Sequence, residues 1–426
     1  MDPVSELELT IGSLSYGRAA VARADDGRVV FVEGAAPGDR VRATITREHA
    51  RHLEAEVAEV LEPGAARVAP PCPIVHECGG CPWQHISEDV QRSAKRQSII
   101  DSFERIAAIP DPPVLEIVAS PASYGYRNRL KLRAENGRLG FYRAQTNRLV
   151  PVKDCLLGEE RVREGLPIAE ALVASLSTRV TRAEIASRGD RPGLVLALNA
   201  DGRLRRSDSL AVRAFVEERR GGFRGVYFHG RGWDRTWGDT TRVYTLPDGP
   251  ELLLPGASFG QVNTLANELL VADVVAQVNA PAGPRVLELY AGAGNFTLAL
   301  AHMAGRISAV DSDANAVEAG RMAVKAQGIR NVGFHHARSE QFLAEYDGRA
   351  PDVVLVDPPR NGLANVTQAV AAQNAPRIVY VSCNPATLAR DAKVLTERGY
   401  ALVRSRPFDL FPHTFHVESV STFELT

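Results

Sequence analysis

From about residue 251 onward the chain repeats one pattern, an apolar strand followed by a helical stretch. The strand segments read RVLELY, RISAVD, NVGFHH, PDVVLV and RIVYVS, and TFHVESVSTFEL closes the series. This alternation predicts a mostly parallel, doubly wound sheet of the Rossmann-like α/β class, because parallel strands must be joined by crossover helices. Such sheets bind ligands beyond the carboxyl ends of their strands. We therefore look for function where these strands end.

A glycine-rich turn follows the first of these strands, in LELYAGAGNFTL. Gly292 and Gly294 let the backbone approach a ligand, and Asp311, nineteen residues after Gly292, can bind ribose hydroxyls at the end of the next strand. A dehydrogenase usually has a third glycine at the position of Thr297. Its absence favours S-adenosylmethionine over a dinucleotide, and a turn without a ligand is the alternative.

Two further strand ends carry reactive side chains. Asp357 opens DPPR after the strand VVLV, and Cys383 lies in SCNP after the strand IVYV. Asp357 can hydrogen-bond the polar edge of a uracil, although strand-ending Asp-Pro turns are also common in purely structural positions. A lone cysteine is often a small apolar filler, but this one lies beside the predicted cleft.

A cysteine and a carboxylate at one cleft suit methylation of a pyrimidine at C5. C5 is a poor nucleophile, and addition of a thiolate to C6 makes it electron-rich. A base must then remove the C5 proton so that the thiol can leave. We predict that Cys383 is the nucleophile and that Glu418, in the strand HTFHVESV, is the base. A surface salt bridge is the alternative role of Glu418, and His413 and His416 shape that strand.

Residues 6 to about 60 have the pattern of a small β-domain. Short β-rich segments alternate with Gly, Asp and Pro, and DDG at Asp25 to Gly27 predicts a hairpin. Five such strands predict a small closed barrel of the oligonucleotide-binding type. A β-domain without a ligand is the alternative, since the segment is rich in acids.

The central region contains a strand with four cations on one face. The face is formed by alternate residues of RNRLKLR, which are Arg127, Arg129, Lys131 and Arg133. From Arg127 to Arg148 there are seven basic residues and one acidic residue. This charge predicts phosphate contacts, and a solvated edge strand is the alternative.

The five cysteines divide into four plus one. Cys383 stands alone, and the others are Cys72, Cys78, Cys81 and Cys155. Four thiolates can hold an iron-sulfur cluster or a tetrahedral zinc ion. His76 and His85 are rival zinc ligands.

Length and composition limit the remaining possibilities. A chain of 426 residues predicts two or three domains. No apolar run approaches the roughly 20 residues that cross a bilayer, and the start lacks the pattern of a signal peptide, so we expect a cytoplasmic protein that binds no membrane. A formal net charge of -1 excludes a histone-like polycation. A helix is predicted from Ser87, its N-cap, to Ile109.

Together the motifs resemble the RNA 5-methyluridine (m5U) methyltransferase family, in the class with a TRAM domain and an iron-sulfur cluster. The matching segments are GSLSYGRAAVAR, DGRVVFVEGAAPGD, CPIVHECGGCPWQH, YRNRLKLR, SFGQVN, LELYAGAGNFTL, DPPR, SCNP and FPHTFHVE. The resemblance implies a TRAM β-barrel over residues 1–62 that binds RNA. It further implies a central α+β domain with the cluster and the RNA-binding strand over 63–250, and a Rossmann-like methyltransferase domain over 251–426.

The resemblance also implies roles for single residues. Cys383 is the nucleophile and Glu418 the base. The methyl-donor site comprises Gln261, Tyr290, Gly292, Gly294, Asp311 and Asp357. Phe259 and Asp357 contact the uracil. A [4Fe-4S] cluster is held by Cys72, Cys78, Cys81 and Cys155. Relatives usually have an aspartate near Arg338 that holds the adenine end, so that contact is not assigned here.

The predicted activity is therefore S-adenosylmethionine-dependent methylation of uracil C5 in RNA by a monomer, with ribosomal RNA favoured over transfer RNA. A catalytically silent RNA-binding or ribosome-assembly factor is the alternative from another class. An amino-group methyltransferase is the enzymatic alternative, and it would need no cysteine. The joint presence of Cys383 and Glu418 counts against both.

Overall fold

The structure, a computed structural model, describes residues 6–278, 283–346 and 348–426. Its N-terminal part is a sheet of six strands, one more than predicted, in the order β1-β5-β6-β4-β3-β2. The strands are β1 (Glu6–Thr10), β2 (Ser13–Leu14), β3 (Ala19–Arg23), β4 (Val29–Glu33), β5 (Arg40–Glu48) and β6 (His52–Glu62). The predicted hairpin is confirmed between β3 and β4, where Gly27 has a φ of +86°.

The six strands surround one apolar core that includes Leu9, Val30, Val32 and Val41. Across this core β1 packs near β3. Within the described residues no hydrogen-bonded ladder joins the edge strands β1 and β2. The segment that contains β1 and β2 pairs with β5 through β1 and with β3 through β2. Between them the backbone N–H groups of Ile11 and Gly12 donate to the carbonyls of Asp39 and Val21. This segment, shared by both ends of the sheet, closes the predicted barrel.

The predicted helix forms as α1 (Glu88–Ser102), which continues into a π-helical turn, Phe103–Ala107. Ser87 occupies the N-cap position, but its side chain makes no capping hydrogen bond, contrary to the prediction. Ile99 and Phe103 pack in a core that consists mainly of residues from the strands, helices and loops of the C-terminal part. This segment of the region predicted as the central domain therefore supports the C-terminal part.

The central part is a seven-stranded sheet in the order β13-β12-β11-β10-β7-β8-β9. Its strands are β7 (Arg129–Glu135), β8 (Arg138–Tyr142), β9 (Leu149–Pro151), β10 (Arg179–Arg188), β11 (Arg191–Asp201), β12 (Phe223–Gly230) and β13 (Trp233–Gly238). Its helices are α2 (Glu160–Ser175) and α3 (Arg206–Glu217). The buried faces of both helices and of the sheet form one apolar core.

A hairpin of β14 (Arg242–Thr245) and β15 (Glu251–Leu254) precedes the C-terminal sheet. Tyr244 and Leu252, one from each strand, belong to the core of the C-terminal part. The boundary predicted at residue 250 falls in the turn of this hairpin. Packing joins both strands of this hairpin to the C-terminal part. The predicted domain boundaries stay predictions.

The C-terminal sheet has the order β18-β17-β16-β19-β20-β22-β21, and its first five strands are parallel. The seven strands of this sheet are β16 (Arg285–Leu289), β17 (Arg306–Asp311), β18 (Val332–His336), β19 (Val353–Val356), β20 (Arg377–Ser382), β21 (Tyr400–Phe408) and β22 (Glu418–Leu425). The helices are α4 (Thr264–Val278), α5 (Thr297–Leu300), α6 (Ala314–Ala326), α7 (Ser339–Glu345), α8 (Val366–Ala371) and α9 (Pro385–Glu397). β22 completes the sheet with β21 and pairs antiparallel both with β20 and with β21. The predicted mostly parallel, Rossmann-like fold is therefore confirmed.

None of the helices in the described ranges combines the length and the apolar character that a membrane span requires.

Candidate active site

Cys383 and Glu418 meet at the carboxyl edge of the C-terminal sheet. Strand β20 ends at Ser382, and the antiparallel strand β22 begins at Glu418. Ser382 pairs with Ser419 across the two strands. The residue after Ser382 and the residue before Ser419 are therefore neighbours. Glu418 is buried and Cys383 is half-buried, so the pair lies at the base of an accessible cleft.

Asp357 joins Cys383 and Glu418 in this cleft, so three titratable side chains lie together. Burial, with the charges of Glu418 and Asp357, raises the pKa of the Cys383 thiol to about 12, while Arg360 opposes this increase. Burial also raises the pKa of Glu418 well above its usual range, with Asp357 adding to the effect. Burial and Asp311 raise the pKa of Asp357 to about 7. Burial thus shifts all three groups toward their neutral forms, and a positive charge in the cleft would shift them toward their ionised forms.

The two histidines of FPHTFHVE have different surroundings. Nη2 of Arg360 lies 3.3 Å from Nε2 of His416, and burial together with Arg360 lowers the pKa of His416 to about 4. His413 is buried, its carbonyl accepts a hydrogen bond from the Trp83 N–H, and its own N–H donates to the side chain of Gln91. His413 therefore joins the catalytic loop to the start of α1 and has a structural role.

The glycine-rich turn takes a conformation with three positive φ angles, +63° at Tyr290, +56° at Gly292 and +100° at Gly294. Asp311 accepts a hydrogen bond of 2.8 Å from the Gly292 N–H, which fastens the turn to the end of β17. A Cβ at Gly292 would meet no atom within 4 Å, whereas one at Gly294 would lie 2.8 Å from Phe334. Gly292 therefore faces open space that a donor molecule can fill, and Gly294 permits close packing.

The loop SFGQ is fastened by side chains of the central part. Asn128 donates a hydrogen bond of 2.9 Å to the carbonyl of Gln261, and the Arg129 guanidinium donates to the carbonyl of Gly260. Phe259, which directly precedes these anchored residues, is 71% exposed. The loop thus holds Gln261 half-buried and presents an aromatic ring to solvent, where a base can stack on it.

The structure corrects two expectations about the basic strand. Arg129 is only 2% exposed, because the loop that carries Phe259 and Gly260 covers its end of β7. It therefore cannot contact a phosphate without rearrangement. Strand β7 lies between β8 and β10, so the alternative of an edge strand is also wrong.

The other cations of this strand differ in exposure. The Lys131 side chain is 61% exposed and lies 3.2 Å from Glu184. The Arg133 guanidinium lies over the Tyr142 ring at 4.9 Å. Arg127 precedes the strand and is half-buried, near the rings of Tyr126 and Phe411. Lys131 is the cation of this set that the structure presents most openly to RNA.

All four cysteines outside the cleft line one cavity of about 180 Å³. They are Cys72, Cys78, Cys81 and Cys155, and each is a free thiol. Burial, together with the neighbouring thiols of Cys155 and Cys78, raises the pKa of Cys81 to about 12. Four thiols that influence one another in one cavity form a donor set for a metal centre.

The spacing of these sulfurs separates the two possible centres. A tetrahedral zinc site with Zn–S bonds of about 2.3 Å places its sulfurs roughly 3.8 Å apart. In the described ranges the one group with three ligand atoms within 4.8 Å is His49, His52 and Glu54, so no three of the cysteines are that close. The rival ligand His85 is directed elsewhere, with Nε2 3.2 Å from the Ala35 carbonyl. As they stand in the described ranges, the four cysteine sulfurs do not form the close tetrahedron of a zinc site.

The sequence analysis did not identify two residues near the site. Tyr16 of the N-terminal sheet donates a hydrogen bond of 3.3 Å to the Cys383 carbonyl, and no local pattern indicates a contact between residues so far apart in the chain. Glu288 lies buried in β16, where its carboxylate accepts a hydrogen bond of 2.6 Å from Thr297. Its signal was present in the sequence as an acid within the apolar strand VLELY.

Comparison with known proteins agrees with this geometry. Residues 254–424 match the family model described as tRNA (Uracil-5-)-methyltransferase, and residues 3–58 match the TRAM domain. The chain is 35% identical to the 23S rRNA (uracil(1939)-C(5))-methyltransferase RlmD of Aeromonas salmonicida, over 98% of this chain and 96% of the relative. It is 33% identical to an uncharacterized RNA methyltransferase of Gloeobacter violaceus, over 97% of this chain and 95% of that one.

Among solved structures, the tRNA (uracil-54, C5)-methyltransferase of Pyrococcus abyssi, in complex with S-adenosyl-L-homocysteine, superposes with a TM-score of 0.75. The match covers 98% of this chain and 100% of that one at 24% identity, and it establishes the shared fold. The predicted TRAM domain and methyltransferase fold are thereby confirmed. The chain belongs to the RNA (uracil-C5)-methyltransferase family, in the group with an N-terminal TRAM domain.

Proposed function

We propose that this protein transfers a methyl group from S-adenosylmethionine to C5 of a uridine in RNA, through a covalent bond between Cys383 and C6. The observation that carries the proposal is the position of Cys383 beside buried Glu418 at one sheet edge. An amino-group methyltransferase needs no thiol there. A silent RNA-binding factor has no use for a buried carboxyl group, whose burial is costly.

The reaction begins at the Cys383 thiol. The pKa of Cys383, about 12, leaves the thiol protonated at neutral pH, so this half-buried thiol must give its proton to solvent as the sulfur attacks. The sulfur then forms a bond to C6, and the electron pair of the C5–C6 double bond moves toward O4 as an enolate. Asp357, with a pKa of about 7, hydrogen-bonds the polar edge of the uracil and keeps the ring oriented.

The second half of the reaction depends on Glu418. The methyl donor supplies an electrophilic carbon, and the enolate attacks it through C5. The bond from this carbon to the donor's sulfonium sulfur breaks, S-adenosylhomocysteine is the leaving group, and C5 then carries both a proton and a methyl group. Ionised Glu418 takes the C5 proton, the C5–C6 double bond forms again, and the bond from sulfur to C6 breaks. The raised pKa of Glu418 makes its ionised form a stronger base than an ordinary carboxylate. The Cys383 thiolate takes up a proton from solvent, Glu418 releases its proton to solvent, and 5-methyluridine leaves.

The donor site is formed by the turn at Tyr290, Gly292 and Gly294 together with Asp311 and Gln261. Support comes from the open space at Gly292 and from the strand-end position of Asp311. Asp311 would bind the ribose hydroxyls, as acids at this position of nucleotide-binding sheets do. Phe259 would stack on the target base, because it is the exposed aromatic ring of the adjoining loop.

We also propose that a [4Fe-4S] cluster occupies the cavity lined by Cys72, Cys78, Cys81 and Cys155. The four free thiols and their wide spacing support it. The cavity lies between the central sheet and the loop that precedes α1, and its lining includes Arg127 and Leu130. Cluster ligation would fasten this loop to the central part.

Ribosomal RNA is the substrate that we propose, because relatives that match this chain over nearly their whole length carry 23S rRNA methyltransferase in their names. Transfer RNA, named for the Pyrococcus abyssi protein, is the alternative. We further propose that the protein acts in the cytoplasm as a monomer.

The decisive experiment maps 5-methyluridine in total RNA from cells with and without this protein. We expect one uridine in large-subunit RNA to lose its methyl group, and wild-type protein to restore it. The Cys383→Ala variant, produced at the same level, should not restore it. Restoration by this variant, or an unchanged 5-methyluridine map after deletion, would contradict the proposal.

A further inference from the structure

The loop between β2 and β3 of the TRAM domain reaches the catalytic cysteine. The Tyr16 hydroxyl donates to the Cys383 carbonyl at 3.3 Å. The Tyr16 ring stands edge-on to the ring of Phe415 at 5.7 Å, with 83° between their planes. Phe415 belongs to the segment that leads into Glu418, so one TRAM side chain touches the segments of both catalytic residues.

This loop is held rigidly at its other contacts. Ser15 donates a hydrogen bond of 2.6 Å to the Ala19 carbonyl, which tightens the turn around Tyr16. Arg18 donates a hydrogen bond of 3.0 Å to the Gly79 carbonyl, in the cysteine-bearing loop of the central part. Tyr16 is thus presented from a loop with anchors on both sides, not from a free surface turn.

The surroundings of Phe415 extend the same junction. Trp83, which follows the CGGC segment, stands 6.5 Å from Phe415 in an edge orientation. Phe415 packs on the small apolar cluster of Ala36, Trp83 and Ile86. Residues from all three parts of the chain therefore form the wall on one side of the cleft. The Tyr16 ring is 38% exposed, so it borders the opening through which a base must enter.

We propose that Tyr16 is a positioning residue of the methyl transfer: it holds the backbone of Cys383 and the ring of Phe415 so that the thiol is directed at C6 of the incoming uracil. This inference rests on the proposed function. It gives the TRAM domain a part in the chemical step in addition to RNA binding. Burial and the nearby Cys383 raise the pKa of Tyr16 to about 12, so the hydroxyl keeps its proton and remains a donor.

The test compares Tyr16→Phe and Tyr16→Ala with wild-type enzyme. The first variant removes only the hydroxyl, and the second removes the ring as well. RNA containing 5-fluorouridine traps the covalent adduct, so the rate of adduct formation under single-turnover conditions reports on the attack by Cys383. We expect the rate to fall about fivefold in Tyr16→Phe, as for loss of one neutral hydrogen bond, and further in Tyr16→Ala.

A structural role alone would not give this result. Therefore RNA affinity and melting temperature are measured on the same variants, and we expect both to remain at the wild-type values in Tyr16→Phe. Tyr346→Phe is the matched control, because the Tyr346 hydroxyl also donates to a backbone carbonyl, that of Arg349 at 3.1 Å, away from the cleft. An unchanged adduct rate in Tyr16→Phe, or an equal loss in the control, would overturn the proposal.

Failure of the proposed function can be told apart from failure of this inference. If wild-type enzyme forms no adduct with any RNA, the methyl-transfer proposal fails. Alkylation of Cys383 by iodoacetamide, followed by mass spectrometry of its peptide, needs no RNA. It still tests the contact between Tyr16 and Cys383. Loss of the Tyr16 ring should increase that alkylation rate several-fold, and an unchanged rate in Tyr16→Ala would overturn the contact itself.

Discussion

Glu418 lies opposite Cys383 across two antiparallel strands, because each adjoins one member of the Ser382–Ser419 pair. A nucleophile and a base so placed can act on the two neighbouring carbons of one double bond. The pair is separated in the chain by α9, β21 and the loop that contains Phe415. Its geometry therefore depends on the register of β22 on β20.

Replacing Glu418 by Gln should stop the reaction after methyl transfer. The amide cannot take the C5 proton, so the bond from Cys383 to C6 cannot break. We expect a protein–RNA adduct that carries the labelled methyl group of the donor and survives denaturing electrophoresis. Cys383→Ala is the control that should form no adduct. Full turnover by Glu418→Gln, or a labelled adduct at another residue, would contradict the assignment.

The reactivity of Cys383 should depend on pH in an unusual range. The pKa of its thiol is raised to about 12 by burial and by nearby acids, and only the thiolate attacks iodoacetamide. The alkylation rate at Cys383 should therefore still rise about tenfold per pH unit above pH 9.5, where the rate of an ordinary cysteine of pKa about 8.5 has levelled off. Peptide mass spectrometry of RNA-free enzyme measures the rate. A plateau that begins about one pH unit above 8.5 would show an ordinary thiol.

Protein purified without oxygen should be brown and contain iron. The Cys155→Ser variant should lose most of its iron and its absorbance near 400 nm, as one of four cluster ligands is removed. Cys383→Ala should retain both, because Cys383 lies outside the cavity of the other four cysteines. Metal analysis by mass spectrometry checks this. One zinc ion per chain with no iron would favour the mononuclear site.

Neighbouring cations of β7 should respond differently to substitution. Lys131→Gln should weaken RNA binding and reduce the slope of log affinity against log salt by about 0.7–0.9, the value of one phosphate contact. Arg129→Gln should instead lower the free energy of unfolding by about 2 kcal/mol, since it removes a buried charged hydrogen bond. Arg179→Gln, at an exposed position of the adjoining strand, is the control for general charge. Equal salt slopes in Lys131→Gln and wild type would exclude the phosphate contact.

Burial raises the pKa of Glu288 from 4.5 to about 8, so folding favours its protonated form. The stability that this form contributes is complete below pH 4.5 and is lost as the pH rises to about 8. Glu288→Gln keeps a neutral side chain at every pH. Its melting temperature should therefore fall less than that of the wild type between pH 5 and pH 8. If the melting temperatures of the two proteins changed by the same amount between pH 5 and pH 8, Glu288 would be ionised in the folded state.

Much of the site was predictable because its residues follow strand ends. Apolar segments identify parallel strands by their composition, and chain direction then puts Asp311, Asp357 and Cys383 at one edge of the sheet. The four cysteines of the cavity were separable from Cys383 by spacing alone. Glu418 was predicted from the need for a base and from its place in the strand HTFHVESV, and the resemblance to a family agreed. That its strand runs in the opposite direction and puts it opposite Cys383 is decided by the pairing of β22 with β20.

Tertiary packing decided what periodicity could not. Alternation put Arg129 and Lys131 on one face of a strand. Only the folded chain shows that the loop of Phe259 and Gly260 covers Arg129 and leaves Lys131 exposed. Likewise Tyr16 reaches Cys383 over a separation of 367 residues. The sequence by itself determined which side chains end the strands, since that follows from local pattern. Burial and long-range contacts follow from how separate elements pack, and a local pattern contains no information about that packing.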